Sequence, residues 1–230
     1  MRMPLPRQIT IAASVALCLA AACSLDTTPP SISIPTGTLV FASVVTSRTH
    51  SCGLTLTGSA YCWGVNTFGE LGDSSTIDRN LPTRVSGGLI FTSLAAGRAN
   101  TCGLIADGSA YCWGTNAAGQ LGDGTTIARL SPTPTAIGHK FISIGFSDPI
   151  TLPPYEVCGL ETTGAVFCWG QDKSTPIAVA TSFTFTTLSA GIGGSFCGIV
   201  AGGDAYCWGF DPYGQLGTDS TSAFIIRDAS

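Results

Sequence analysis

The chain has 230 residues and a formal net charge of −4, and only 10% of its residues are Asp, Glu, Lys or Arg, against about 25% in an ordinary soluble domain. Its two lysines, Lys140 and Lys173, cannot build the clustered positive surface that a phosphate backbone requires, so nucleic acid is excluded as a partner class. The 29 glycines, with Ser and Thr at the polar positions, point to short strands joined by many turns and away from helices.

The N-terminus reads as an address. Residues 1–8 carry Arg2 and Arg7 and no acid, and an apolar run of 14 residues follows over 9–22. That is short for a membrane span, which needs about 20 residues, and fits the core of a signal peptide. The run ends Ala20-Ala21-Ala22-Cys23. It resembles a lipobox, in which Cys23 receives lipid and becomes the new N-terminus, although Ala20 stands where that motif usually has Leu. The same alanines also satisfy the A-x-A rule for ordinary secretory cleavage. Cysteine parity favours the lipid. Of ten cysteines, Cys18 leaves with the signal and eight form evenly spaced pairs, so Cys23 would otherwise be a stray thiol on an exported protein. The expectation is a signal peptide over 1–22 and a cell-envelope lipoprotein tethered by the Pro/Thr/Ser-rich segment 23–38, with secretion as the alternative.

From residue 39 onward one unit repeats. All four tryptophans sit in the same context, at Cys62-Trp63-Gly64, Cys112-Trp113-Gly114, Cys168-Trp169-Gly170 and Cys207-Trp208-Gly209. A second Cys lies ten positions earlier in each copy, at Cys52, Cys102, Cys158 and Cys197, and a Gly falls six after it, at Gly58, Gly108, Gly164 and Gly203. Three copies continue W-G-x-[ND]-x-x-G-[QE]-L-G, over 63–72, 113–122 and 208–217. The repeats divide into units of about 41–90, 91–140, 141–184 and 185–230.

The Cys-to-Cys segment folds on paper as a hairpin. With Ala106-Asp107-Gly108 as a three-residue loop and Gly108 in the left-handed conformation, Ile105 pairs with Ser109, Leu104 with Ala110, Gly103 with Tyr111 and Cys102 with Cys112. The cysteines then form a non-hydrogen-bonded pair with Cα atoms about 4.5 Å apart, within the disulfide range. The same register sets Gly53 opposite Tyr61, Gly103 opposite Tyr111, Gly159 opposite Phe167 and Gly198 opposite Tyr206, and predicts that these aromatics cover the bare glycines. The expected disulfides are Cys52–Cys62, Cys102–Cys112, Cys158–Cys168 and Cys197–Cys207. Zinc is the rival reading, but its sites use shorter Cys spacings and more His, and export favours oxidation. In the second unit the strands are predicted at about 91–96, 101–106, 109–114 and 133–137, and four strands per unit is the β-propeller pattern.

These residues resemble the regulator of chromosome condensation repeat. The pieces that carry the likeness are Leu-Ala-Ala-Gly at 94–97, Thr-Cys-Gly-Leu at 101–104, the Asp107-Gly108 turn and Trp-Gly-Thr-Asn-Ala-Ala-Gly-Gln-Leu-Gly at 113–122. The resemblance spans about 41–217 and implies an all-β propeller, here of about four blades against the family's usual seven. The paired cysteines look like an exported bacterial branch. Three departures stand out. His50 alone matches the family's turn histidine, with Asn100 and Ser195 as its equivalents, the third copy lacks G-Q-L-G, and that copy gains an insertion over 146–157.

Function is expected to be binding rather than catalysis. His50 and His139 are the sole histidines, and no nucleophile elbow, zinc helix or Walker loop appears. The glycine-rich run at 119–126 lacks the Lys of a phosphate loop and the acidic ladder of a calcium loop, so it reads as a structural turn, and no metal or cofactor is expected. The nuclear GTPase on which the family's namesake acts is out of reach of an exported protein. Two segments vary between copies, the turn at 48–50 and 98–100 and the stretch before G-[QE]-L-G. The candidate binding residues are Arg48, His50, Phe68, Arg98, Asn100 and Tyr213, with Phe68 and Tyr213 as aromatic anchors for an unknown protein partner. His50 also has a structural reading, at a repeat turn. Contact with the membrane is expected through the lipid anchor alone, and a homo-oligomer is one way to complete the ring. The alternatives are a truncated propeller without independent function and a secreted enzyme inhibitor of the β-lactamase-inhibitor type.

Overall fold

The computed structural model describes residues 39–147, 156–179, 182–191, 193–211, 213–217 and 227–228. The expected signal peptide, Cys23, the tether and most of the insertion lie outside them.

Four antiparallel sheets of four strands follow one another along the chain, each a simple meander. The first blade contains β1 (Phe41–Thr46), β2 (His50–Thr55), β3 (Ala60–Gly64) and β4 (Arg79–Arg84). The second contains β5 (Phe91–Ala96), β6 (Asn100–Ile105), β7 (Ala110–Gly114) and β8 (Arg129–Thr135). The third contains β9 (Phe141–Ser147), β10 (Glu156–Glu161), β11 (Val166–Gly170) and β12 (Lys173–Ala178). The fourth contains β13 (Phe185–Ala190), β14 (Ser195–Val200), β15 (Ala205–Gly209) and β16 (Arg227–Asp228). The protein is a partial all-β propeller of four blades.

The central hairpin has the register read from the sequence. Cys102 faces Cys112, Gly103 faces Tyr111 and Leu104 faces Ala110, and the Ile105 amide donates to the Ser109 carbonyl at 3.1 Å across a turn in which Gly108 has φ +81°. Cys52–Cys62, Cys102–Cys112, Cys158–Cys168 and Cys197–Cys207 are disulfides, each with Cα atoms 4.1 Å apart.

The outer strand departs from the expectation. β8 starts at Arg129, not near residue 133, because the strand bulges over 130–132 opposite Trp113 and then pairs Arg129 with Gly114. The strand therefore includes Pro132 and Pro134, which an edge strand tolerates because its outward N–H groups need no partner.

A second departure concerns the glycines. A Cβ at Gly103 would meet the Phe91 ring at 2.4 Å, and Phe41, Phe141 and Phe185 crowd Gly53, Gly159 and Gly198 in the same way. The ring over each glycine therefore comes from the first strand of the blade, not from the aromatic directly opposite. The latter borders the Phe instead, edge-on for Phe41 and Tyr61 with centroids 6.2 Å apart. The bulge between Phe91 and Ser93 turns the Phe inward over the strand.

Strand alternation gives every blade two different faces. Cys102, Leu104, Ala110 and Cys112 lie on one, and Thr101, Gly103, Tyr111 and Trp113 on the other. The first face of each blade meets the Phe/Trp face of the next. Cys52, Leu54 and Cys62 pack on Phe91 and Trp113, Leu104 and Ala110 on Phe141 and Trp169, and Cys158, Leu160 and Cys168 on Phe185 and Trp208. The disulfides are thus part of the apolar cement between blades.

Candidate functional site

Chain direction places both variable segments at one end of the blades. The β1–β2 and β5–β6 turns lie there, as do the long β3–β4 and β7–β8 loops over 65–78 and 115–128. The four-residue hairpin turns at 56–59 and 106–109 lie at the opposite end.

One buried asparagine organises each long loop. The Asn66 Oδ1 accepts the Leu71 amide at 3.0 Å, while Nδ2 donates to Asp73 Oδ1 at 3.1 Å and to the Ser75 and Ile77 carbonyls at 3.0 and 3.2 Å. Asn116 repeats the set with Leu121, Asp123, Thr125 and Ile127. Asp73 and Asp123 in turn pair with Arg79 and Arg129 at 2.7 Å. Burial alone would raise the Asp73 and Asp123 carboxyls, but the hydrogen bonds from Ser75 or Thr125 and from the arginine hold both below the usual carboxylate range. In the fourth blade the Asp211 Oδ1 accepts the Leu216 amide at 3.0 Å. The sequence reading passed over these cage residues. Their signal is in the sequence, since Asp and Arg recur six positions apart after the L-G of the first two copies, Asp73/Arg79 and Asp123/Arg129.

The acid or amide of G-[QE]-L-G shapes the loop apex. Glu70 Oε2 accepts the Phe68 amide at 2.7 Å, Gln120 Oε1 the Ala118 amide at 2.8 Å and Gln215 Oε1 the Tyr213 amide at 3.0 Å. The apex residue is turned outward, leaving Phe68 49% and Tyr213 87% exposed. Burial raises the Glu70 carboxyl above its ordinary range.

Of the remaining candidates, Arg48 and Arg98 are exposed. His50 and Asn100 are buried. The His50 Nε2 lies 2.8 Å from Thr101 Oγ1 in the next blade, and that hydroxyl donates to the Glu70 carbonyl at 2.9 Å. Ser47 Oγ lies 2.9 Å from Nδ1 and also donates to the His50 carbonyl at 3.0 Å, closing the turn. Burial lowers the His50 pKa to about 4, so the ring is a weak base and acts as a turn clamp and blade linker. The third-blade equivalent is Glu156, opposite Gly170 as His50 is opposite Gly64. It lies 3.4 Å from Lys173. Its cluster with Cys158 and Cys168 offers no thiolate for a metal, since both sulfurs are in the disulfide.

Three of the candidate residues converge. Phe68 from the first blade meets Arg98, Asn100, Thr115, Ala118 and Gln120 of the second around a cleft of about 430 Å³. Its mouth combines an aromatic ring, a cation and amides on a caged scaffold, a chemistry suited to gripping a peptide or protein surface.

The third blade lacks this apparatus. A two-residue turn, Gln171-Asp172, replaces the long loop, with φ of 50° and 68°. The next tryptophan therefore loses its acceptor. Trp113 and Trp169 donate to the Glu70 and Gln120 carbonyls at 2.9 and 3.1 Å, whereas the buried Trp208 Nε1 has no hydrogen-bond partner among the described residues. Phe196 stacks on it instead, with centroids 5.9 Å apart.

Models of the regulator of chromosome condensation (RCC1) repeat match residues 57–104 and 107–151, and a second model of the repeat matches 41–70 and 91–120. Ras guanine nucleotide exchange factor C of Dictyostelium discoideum is 48% identical over 42 residues, which is 18% of this chain and 3% of that protein. Human WBSCR16 superposes with a TM-score of 0.73 at 18% identity, covering 83% of this chain and 53% of that one. Prp20p of Saccharomyces cerevisiae, whose structure was described with its binding to Gsp1p and histones, gives 0.66 at 18% identity, covering 81% and 49%. The ectodomain of the Physcomitrella patens receptor kinase CR4 gives 0.53 at 22%, covering 82% and 46%. The chain thus spans about half the length of these solved structures, and at such identities the likeness is one of fold.

Proposed function

Since the chain belongs to the regulator of chromosome condensation repeat family of β-propellers, we propose that it is an exported, non-catalytic scaffold that binds a protein partner at the loop end of its blades. The observation that carries this reading is the cleft between the Phe68 apex and the Arg98–Asn100 turn, held by the Asn66 and Asn116 cages. Rigid support with variable, outward-pointing residues is what a recognition surface needs. Four disulfides support an oxidising compartment. In this reading residues 1–22 direct export, Cys23 carries lipid and 23–38 is the tether. Both histidines have structural partners, His139 being paired with Glu161 at 2.9 Å and stacked on Phe141. The acidic balance gives no surface for nucleic acid.

The test is site-specific photo-crosslinking in the exported full chain. A crosslinker at Phe68 or Tyr213 should form a discrete adduct, and one at Leu56, which is exposed in the turn at the opposite end, should not. Adducts from Leu56 alone, or none from either loop position, would overturn the proposal.

A further inference from the structure

The two terminal blades carry opposite halves of one junction. At each internal junction a face of disulfide, Leu and Ala (Val166 in the third blade) meets a Phe/Trp face, and at the first two junctions a tryptophan also enters beside G-[QE]-L-G of the preceding blade. In the fourth blade no described residue covers that first face. Ile199 is 42% exposed, whereas its equivalents Leu54, Leu104 and Leu160 are buried. Cys197, Cys207 and Ala205 are partly exposed, whereas the other six paired cysteines are buried. Gln215 is exposed, whereas Glu70 and Gln120 are buried. A Cβ at Gly72 or Gly122 would strike the Trp113 or Trp169 indole, but nothing described lies within 4 Å of that position at Gly217, although its φ of +70° matches theirs.

The first blade shows the reverse. Trp63 and Phe41 are partly exposed, whereas Trp113, Trp169, Phe91 and Phe141 are buried, and Val44 is 51% exposed. Both open faces are apolar, and neither carries a charged residue among those named. One is the knob and the other the socket of the contact that the molecule already makes between its own blades.

We propose that a second copy of this chain covers both faces head to tail. Trp63 of one copy enters beside Gln215 and Gly217 of the other, and Phe41 and Val44 close on Ile199 and the Cys197–Cys207 disulfide. Two such junctions, related by a two-fold axis, join two four-blade arcs into a closed ring with no apolar face left over. The ring leaves the loop end free, so this association and partner binding at that end stand or fall separately.

The chain with Cys23→Ser, exported and purified, should have twice the chain mass by sedimentation equilibrium. Val44→Glu and Ile199→Glu alter exposed positions and should leave each chain folded. Either one places a charge in both junctions of the dimer and should weaken it at least about 100-fold, to a monomer at micromolar concentration. Mixing the two variants restores one intact junction, between the Val44→Glu fourth blade and the Ile199→Glu first blade, so a heterodimer should form. A monomeric parent would overturn the proposal and assign the faces to chain outside the described residues. A dimer that survives Val44→Glu alone would overturn it in favour of like-on-like pairing of fourth blades.

Discussion

Trp113 donates its indole N–H to the Glu70 carbonyl, 43 residues earlier and one blade back, at 2.9 Å. Trp208 occupies the same place in its own blade with no acceptor among the described residues, the third blade having a two-residue turn where the first has its long loop. The protein thus contains two buried tryptophans at equivalent places, one hydrogen-bonded to the preceding blade and the other stacked on Phe196.

Trp113→Phe removes the indole–carbonyl bond, whereas Trp208→Phe removes no hydrogen bond made among the described residues. Trp113→Phe should cost about 1–2 kcal/mol more than Trp208→Phe, the net worth of a buried hydrogen bond. Urea unfolding of the two variants measures the difference. Equal losses would mean that the indole–carbonyl contact adds nothing to the junction.

The His50 ring is buried neutral in the fold, with its pKa lowered to about 4, and titrates near 6.5 when unfolded. Between those values the unfolded chain binds more protons, so stability falls as pH drops from about 6.5 to about 4 and levels off below. The full effect is up to about 3 kcal/mol. His50→Asn, the residue that the second blade uses at position 100, should flatten this part of the profile. Thermal unfolding of both proteins at pH 7.5 and pH 5 checks it, and an unchanged slope in the variant would place the proton elsewhere.

Each disulfide closes a loop across a sequence separation of 10, worth about 2–3 kcal/mol in the chain-entropy model. The double variant Cys102→Ala/Cys112→Ala should lose at least this much, because both side chains also fill the junction with the third blade. Non-reducing peptide mapping of the parent should find every paired Cys bound to the one ten positions away, and links between blades would contradict the register.

Export and lipidation have a direct assay. Cells expressing the chain and fed a palmitate analogue should label it, and Cys23→Ser should abolish the label. A mature chain that begins at an unmodified Cys23 would refute the anchor while leaving the loop-end scaffold standing.

The sequence by itself determined the hairpin, its register, the disulfide partners and the number of blades. All of these depend on residues about ten apart, whose pairing follows from strand alternation and one left-handed glycine in each turn. What it could not assign was anything settled by a neighbouring strand or blade. Gly103 is covered by Phe91 rather than Tyr111 because a bulge redirects the first strand. His50 is withdrawn from the surface because Thr101 of the next blade meets it, and Phe68 and Arg98 line one cleft because loops of adjacent blades lie at the same end. Likewise, the cysteines and tryptophans of one hairpin are neighbours in sequence, yet they face opposite blades. Only the stacking of the blades decides which apolar faces are covered and which remain open, since that burial joins residues about fifty apart, for which no local pairing rule exists.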